Sequence, residues 1–217
     1  KELTLKQTMI MGTAGFTALQ SAFVTKLTRE ELLLGEKVKD VIVSGASGGV
    51  GSISVMILNK LGCNVTAVTG KDKNIEYLKS LGAKNVINTN ELTKDARPLD
   101  KGLWDGAVDT VGGKVLENIL SQTKEAGIVA SCGNAADIKL NTTVMPFIIR
   151  GVKLWGINSV TVSNVRRKFL WSEVSKLVDF ELLNKSIKEI SLEEVNDVYS
   201  KMLKGETSGR YIINLNK

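Results

Sequence analysis

The stretch Val41-Ile42-Val43-Ser44-Gly45-Ala46-Ser47-Gly48-Gly49-Val50-Gly51-Ser52 decides the fold. A short, continuously apolar run reads as a buried strand, and Val50 to Leu61 reads as a helix stopped by Gly62. Between them lies a glycine-rich turn, where the backbone of a dinucleotide fold must approach a pyrophosphate. Gly48 permits that approach, and Gly51 permits close packing of the helix on the strand. Backbone N–H groups and the helix dipole then favour an anion at this turn. Ala46 stands where the first glycine of G-x-G-x-x-G is expected. A phosphate loop of the GxxxxGK type does not fit, because no Lys follows the glycines in register.

Working outward, the same alternation recurs. Strands are expected at Val65–Thr69, Val86–Ile87, Gly106–Asp109, Gly127–Ser131 and Val152–Gly156. Helices are expected at Lys71–Leu81, Lys114–Lys124 and Met145–Arg150. Nearly continuous apolar strands alternating with helices imply an α/β fold: a doubly wound, parallel six-stranded Rossmann sheet with helices on both faces. Residues 4–34 read as helical, capped by Thr4 and interrupted at Gly12 and Gly15, so a bend or two helices are expected. Gly35-Glu36-Lys37 reads as a turn. After the sheet the pattern changes. A long helix is expected over Asn164–Leu183, then a strand at Ile187–Ile190, a helix at Leu192–Leu203 and a last strand at Tyr211–Leu215, which needs a partner outside the main sheet.

The second strand ends at Thr69-Gly70-Lys71, about twenty residues beyond the turn, where an NAD-binding chain places an acid on the ribose 2′-hydroxyl. A hydroxyl and an ammonium there suit a 2′-phosphate instead. Thr69, Gly70 and Lys71 therefore favour NADP(H) over NAD, with Asp72 read as a helix N-cap.

Composition narrows the function. With 43% apolar and 24% charged residues the chain reads as an ordinary globular protein. Its net charge of +6 is scattered along helix faces, and no aromatic interleaving accompanies Arg166-Arg167-Lys168, so no nucleic-acid partner is expected. No apolar run is long enough to span a bilayer, and Lys1-Glu2-Leu3-Thr4-Leu5-Lys6 is not followed by a signal-peptide core. A cytoplasmic location is expected, with Cys63 and Cys132 as reduced thiols. The absence of histidine removes the commonest metal ligand, so no metal is expected.

Several separated motifs share one further resemblance. They are Met11-Gly12-Thr13-Ala14-Gly15-Phe16-Thr17-Ala18, the Ala46–Gly51 turn, Tyr77-Leu78-Lys79-Ser80-Leu81-Gly82-Ala83, Ala107-Val108-Asp109-Thr110-Val111-Gly112-Gly113, Pro146–Val152, Gly156–Val160 and Gly209-Arg210. Together they resemble the quinone-oxidoreductase-like, zinc-independent branch of the medium-chain dehydrogenase/reductase superfamily, of the acrylyl-CoA reductase type, over its C-terminal two-thirds. The resemblance implies an NADP-binding domain over residues 13–162. Segments 1–12 and 163–217 would link to, or complete, a GroES-like catalytic domain whose N-terminal part is missing. It implies an NADPH-dependent reductase that passes hydride to an enoyl thioester such as acrylyl-CoA, or to a quinone, and a homodimer joined near Val152–Val160. Substrate-binding and proton-donating residues would lie mainly in that missing domain and in the cleft between the two domains.

Residue by residue, Ser47, Gly48, Gly49 and Val50 would meet the pyrophosphate, and Thr69, Gly70 and Lys71 the 2′-phosphate. Gly133, Asn134, Thr17 and Asn158 would lie by the nicotinamide and its ribose, and Arg210 would reach the pyrophosphate. Thr17 also fits a helix hydroxyl bonded to its own backbone, Asn158 a loop residue, and Arg210 a surface cation. Two other function classes compete. A short-chain reductase needs Tyr-x-x-x-Lys, and none of the three tyrosines has Lys at that spacing. A catalytically silent NADPH-binding module or fragment is the alternative.

Overall fold

The computed structural model describes residues 3–32 and 35–216. Lys1 and Glu2, and the expected helix end at Leu33-Leu34, lie outside the described residues. Six strands form one parallel sheet: β1 (Asp40–Val43), β2 (Asn64–Thr69), β3 (Ala83–Asn88), β4 (Trp104–Asp109), β5 (Thr123–Ser131) and β6 (Lys153–Gly156). Their order is β3-β2-β1-β4-β5-β6, the doubly wound arrangement expected from the alternation. The order reverses between β1 and β4, so a crevice opens at the carboxyl ends of those two strands.

Adjacent residues of the central strands β1, β2 and β4 enter opposite cores. Val41, Val43, Val65, Ala67 and Val108 join one apolar cluster, while Ile42, Val68, Ala107 and Val129 join the other. Burial on both faces explains why these strands read as apolar runs rather than alternating ones. Each such Val or Ile contributes roughly 1.5–3 kcal/mol of transfer free energy. The first face is covered by α1 (Leu5–Phe23), α3 (Gly49–Lys60) and α7 (Asn164–Leu177). The second is covered by α5 (Gly113–Ser121), whose Val115, Leu116, Ile119 and Leu120 are buried.

Local chemistry sets the ends of these elements. Thr4 Oγ1 accepts from the Gln7 N–H at 3.2 Å, and Gln7 Oε1 accepts from the Thr4 N–H at 2.9 Å, a reciprocal cap. Gly12, at φ +46, bends α1. The chain continues through a wider turn at Val24–Thr28 into the short α2 (Arg29–Leu32). Gly62 and Gly82 take positive φ where α3 and α4 (Ile75–Ser80) stop.

Four expectations need correction. Asp72 is not a helix N-cap. It begins a 3-10 turn over Asp72–Asn74, and α4 follows from Asn74 with no side-chain cap. The helix expected to run to Lys124 ends at Ser121, and β5 already begins at Thr123. The helix expected over Asn164–Leu183 breaks at Val178. Asp179 Oδ1 accepts from the N–H groups of Glu181 and Leu182 and starts α8 (Phe180–Asn184) afresh. The second tail helix starts later than Leu192, as α9 (Val195–Leu203).

The last strand is β8 (Arg210–Ile213). It pairs in parallel with β7 (Ile187–Ile190), away from the main sheet. Short helix α6 (Met145–Arg150) precedes β6. Among the described residues no helix is long and apolar enough to cross a membrane.

Candidate dinucleotide site

The site is built around the turn between β1 and α3. Gly45 takes φ +57, and a side chain there would overlap the Thr110 hydroxyl. Gly45, not the position held by Ala46, therefore makes the tight turn. Gly48 is exposed and extended at φ −84, immediately before the first turn of α3. Gly51 is required because a side chain there would overlap the Gly45 carbonyl.

The turn is held from across the crevice. Asp109 Oδ1 accepts from Ser44 Oγ at 2.6 Å and from the Val111 N–H at 3.2 Å. The Thr110 N–H donates to Ser44 Oγ at 2.9 Å, and its hydroxyl donates to the Ser44 carbonyl at 3.0 Å. Burial pushes the Asp109 carboxyl above its usual range, against the pull of these donors. Asp109 thus fixes the ends of β1 and β4 relative to one another. Its motif stood out in the sequence, but its role did not.

Ser47, Thr69 and Lys71 come together beside this turn. The Thr69 hydroxyl donates to Ser47 Oγ at 3.3 Å, and the Lys71 N–H donates to Thr69 Oγ1 at 3.2 Å. Gly70 is exposed between them. Lys71 Nζ reaches the Thr207 carbonyl at 2.5 Å, a contact that a separation of 136 positions hides from any local reading.

Arg210 closes the same corner. A Cβ added at Gly49 would lie 3.2 Å from its Nη1, and one at Gly12 would lie 3.5 Å from its Nη2. Its buried Nε has no hydrogen-bond partner, and burial pulls its pKa below the usual value. A guanidinium beside the positive end of α3 repels that end unless an anion lies between them. Anion binding therefore relieves both an electrostatic conflict and an unpaired donor. These groups fit the diphosphate of a dinucleotide.

A second group gathers at the ends of β5 and β6. Gly133, Asn134 and Asn158 line one open depression with Ser131 and Cys132. A side chain at Gly133 would overlap the Thr110 carbonyl, so glycine lets the end of β5 close on the end of β4. Asn158 Oδ1 accepts from the Val160 N–H at 2.8 Å, so its carbonyl serves its own loop. Burial pushes the Cys132 thiol up to about 11. Thr17 lines neither group; its hydroxyl donates to the Thr13 carbonyl at 2.8 Å, the helix-bonded reading. Gln20 was missed: it is buried, its Nε2 lacks a partner, and it lines a hollow shared with Asn158 and Arg166. A cavity of about 550 Å³ lies elsewhere, between the end of α3 and the α7–α8 link, and none of the expected residues lines it.

Comparison with known proteins follows this geometry. Residues 49–179 match the family described as zinc-binding dehydrogenase. Acrylyl-CoA reductase AcuI of Ruegeria pomeroyi is 38% identical over 215 residues, 99% of this chain and 64% of that protein. YhfP of Bacillus subtilis, which carries a provisional quinone oxidoreductase name, is 41% identical over 217 residues, with 99% and 64% covered. A solved structure of YhfP with NAD bound superposes with a TM-score of 0.88 at 40% identity, covering 99% of this chain and 65% of that one. The yhdH oxidoreductase of Salmonella enterica, solved in complex with NADP, gives a TM-score of 0.91 at 39% identity, covering 98% of this chain and 64% of that one.

The chain thus spans a little under two-thirds of the length of these relatives. Among the described residues no three His, Cys, Asp or Glu side chains group as a metal site. Cys63 faces the Val38 carbonyl while Cys132 faces that of Asp109. The chain belongs to the zinc-binding dehydrogenase family, alongside acrylyl-CoA reductases and quinone oxidoreductases.

Proposed function

We propose that this chain supplies the NADPH-binding half of a reductase acting on an activated double bond, with an acrylyl-CoA-like enoyl thioester or a quinone as acceptor. One observation carries the reading. A guanidinium whose buried Nε has no partner among the described residues and a helix N-terminus converge on one glycine turn, flanked by two hydroxyls and an ammonium where an NAD-specific site would hold an acid. The similarity to an NADP-bound oxidoreductase and to an acrylyl-CoA reductase supports it.

When bound, NADPH supplies the hydride. The protein's part is to hold and orient. N–H groups at Ser47, Gly49 and Val50 take the pyrophosphate, Gly48 (whose own N–H donates to the Gly45 carbonyl at 2.9 Å) lets it approach, and Arg210 neutralises it. Ser47, Thr69 and Lys71 take the 2′-phosphate, with Gly70 leaving room. The depression at Gly133, Asn134 and Asn158 takes the nicotinamide ribose. The proton donor to the reduced substrate belongs to the part of the relatives that this chain does not span.

NAD is the competing cofactor, and the NAD-bound YhfP structure favours it. Titration calorimetry with NADPH and NADH separates the two. Lys71→Glu should weaken NADPH binding by about 2–4 kcal/mol, replacing a charge-assisted contact by repulsion, and should change NADH binding far less. Equal losses for both cofactors reject Lys71 as the phosphate reader. NADPH oxidation in the presence of acrylyl-CoA tests the acceptor.

The assembly is a homodimer in this proposal. β6 is an edge strand, and its Trp155, like Ile148 and Ile149 of α6, is left exposed. A second β6 would cover that edge and extend the sheet. A monomer mass by light scattering at high concentration contradicts it.

A further inference from the structure

We propose that the loop 204–209 determines cofactor selectivity by positioning Lys71. This rests on the reading of Lys71 as the 2′-phosphate ligand.

The loop is pinned at both ends. At its start the Gly205 N–H donates to the Met202 carbonyl at 2.9 Å and the Glu206 N–H to the Lys201 carbonyl at 3.0 Å. Gly205 takes φ +68 there, the left-handed stop of a helix. At its end the Gly209 N–H donates to the Ser47 carbonyl at 3.3 Å, and the Arg210 N–H donates to the Ser186 carbonyl at 3.2 Å. Gly209 takes φ +71, and a side chain there would overlap the Ser186 carbonyl. Between these anchors the Thr207 carbonyl accepts from Lys71 Nζ at 2.5 Å.

Lys71 sits on a flexible four-carbon stem and has three donors. One is taken by Thr207, which leaves two for phosphate oxygens. Fixing that stem costs rotamer entropy, and the loop meets the cost before any cofactor arrives. Ser47 joins the pieces: its carbonyl takes the Gly209 N–H, and its hydroxyl takes that of Thr69. Loop, glycine turn and the end of β2 are therefore one network. Thr207 offers Lys71 only a neutral carbonyl, which does not attract a phosphate. Its influence on selectivity passes through Lys71 alone.

A double-mutant cycle on the chain tests this. NADPH and NADH are titrated by fluorescence against the unmodified chain, Lys71→Met, Gly209→Ala and the double variant. The readout is the ratio of Kd for NADH to Kd for NADPH. Any displacement of Arg210 by Gly209→Ala cancels in that ratio, because both cofactors carry the pyrophosphate. Gly209→Ala should lower the ratio about tenfold in the unmodified background and leave it within about twofold in the Lys71→Met background.

A ratio that is unchanged, that rises, or that falls equally in both backgrounds overturns the proposal. Amide exchange covers the case in which Gly209→Ala fails to fold. Lys71→Met should speed exchange at 206–209 in the cofactor-free protein about tenfold, and unchanged exchange there overturns the proposal. Should Lys71→Met leave the ratio untouched while exchange still speeds up, the 2′-phosphate reading fails, and the selectivity role falls with it.

Discussion

The six-stranded sheet and the stretch from Ile187 to Asn216 obey opposite rules of burial. In the sheet, Val41, Ile42 and Val43 are fully enclosed, and each neighbour enters a different apolar cluster. In the later stretch β7 and β8 pair only with one another among the described residues and join the first apolar cluster through little more than Ile187 and Ile212, α9 buries none of its residues, and Leu203 and Leu215 are 71% and 77% exposed. Two strands alone are marginal in water. Yet this lightly packed stretch delivers Arg210 and the Thr207 carbonyl to the glycine turn. The sheet supplies a rigid crevice, and the tail supplies cations and their positioning at low intrinsic stability. Binding energy at the site is thereby coupled to the order of the tail.

The largest contrast to break is in amide exchange. Protection at 41–43 and 65–68 should approach the global unfolding free energy, while 211–213 should open several kcal/mol more easily. Equal protection in both regions would show that the tail is as well packed as the sheet. Next comes Gly48→Val, expected to remove detectable dinucleotide binding while leaving sheet protection unchanged, since Gly48 is exposed and has φ −84. Unchanged affinity by fluorescence titration would make the turn purely structural.

Arg210→Ala cuts the tie between the two regions. It should weaken NADPH and NADH alike, by about 1.5–3 kcal/mol each, the value of a hydrogen bond to a charged group. A loss confined to NADPH would move Arg210 to the 2′-phosphate. The smallest effect concerns the thiols. Burial pushes both Cys63, in the packed rear of the sheet, and Cys132, at the rim of the site, up to about 11. Two units of suppressed thiolate, partly offset by greater nucleophilicity, should slow alkylation at pH 8 about tenfold relative to a free thiol. Fast alkylation of Cys132 alone would show the rim to be wetter than the core.

What the sequence revealed divides along the same line. Strand order followed from apolar runs between helices, because burial on both faces leaves an unbroken signal. Gly62 and Gly82 marked helix ends because positive φ is cheap only for glycine. The tail was less legible. The break before α8 hides inside a continuous apolar period, since Asp179 restarts the helix without changing the spacing of apolar residues. Within the site, Thr69 and Lys71 are singled out by their distance along one βα unit, and Ser47 by the family resemblance. The tight-turn role of Gly45 was passed over because the fingerprint counts from the next residue. The bracing by Asp109, the buried amide of Gln20 and the Thr207 carbonyl depend on contacts across many residues, which no local pattern carries.

A crystal structure of this chain with NADP bound tests the central claim most directly. The account predicts the pyrophosphate against the N–H groups of Ser47, Gly49 and Val50, within hydrogen-bond reach of the Arg210 guanidinium. It also predicts the 2′-phosphate between Thr69 and Lys71, with Lys71 Nζ still touching the Thr207 carbonyl. A pyrophosphate seated away from the glycine turn, or a 2′-phosphate pointing into solvent with Lys71 turned aside, would contradict it.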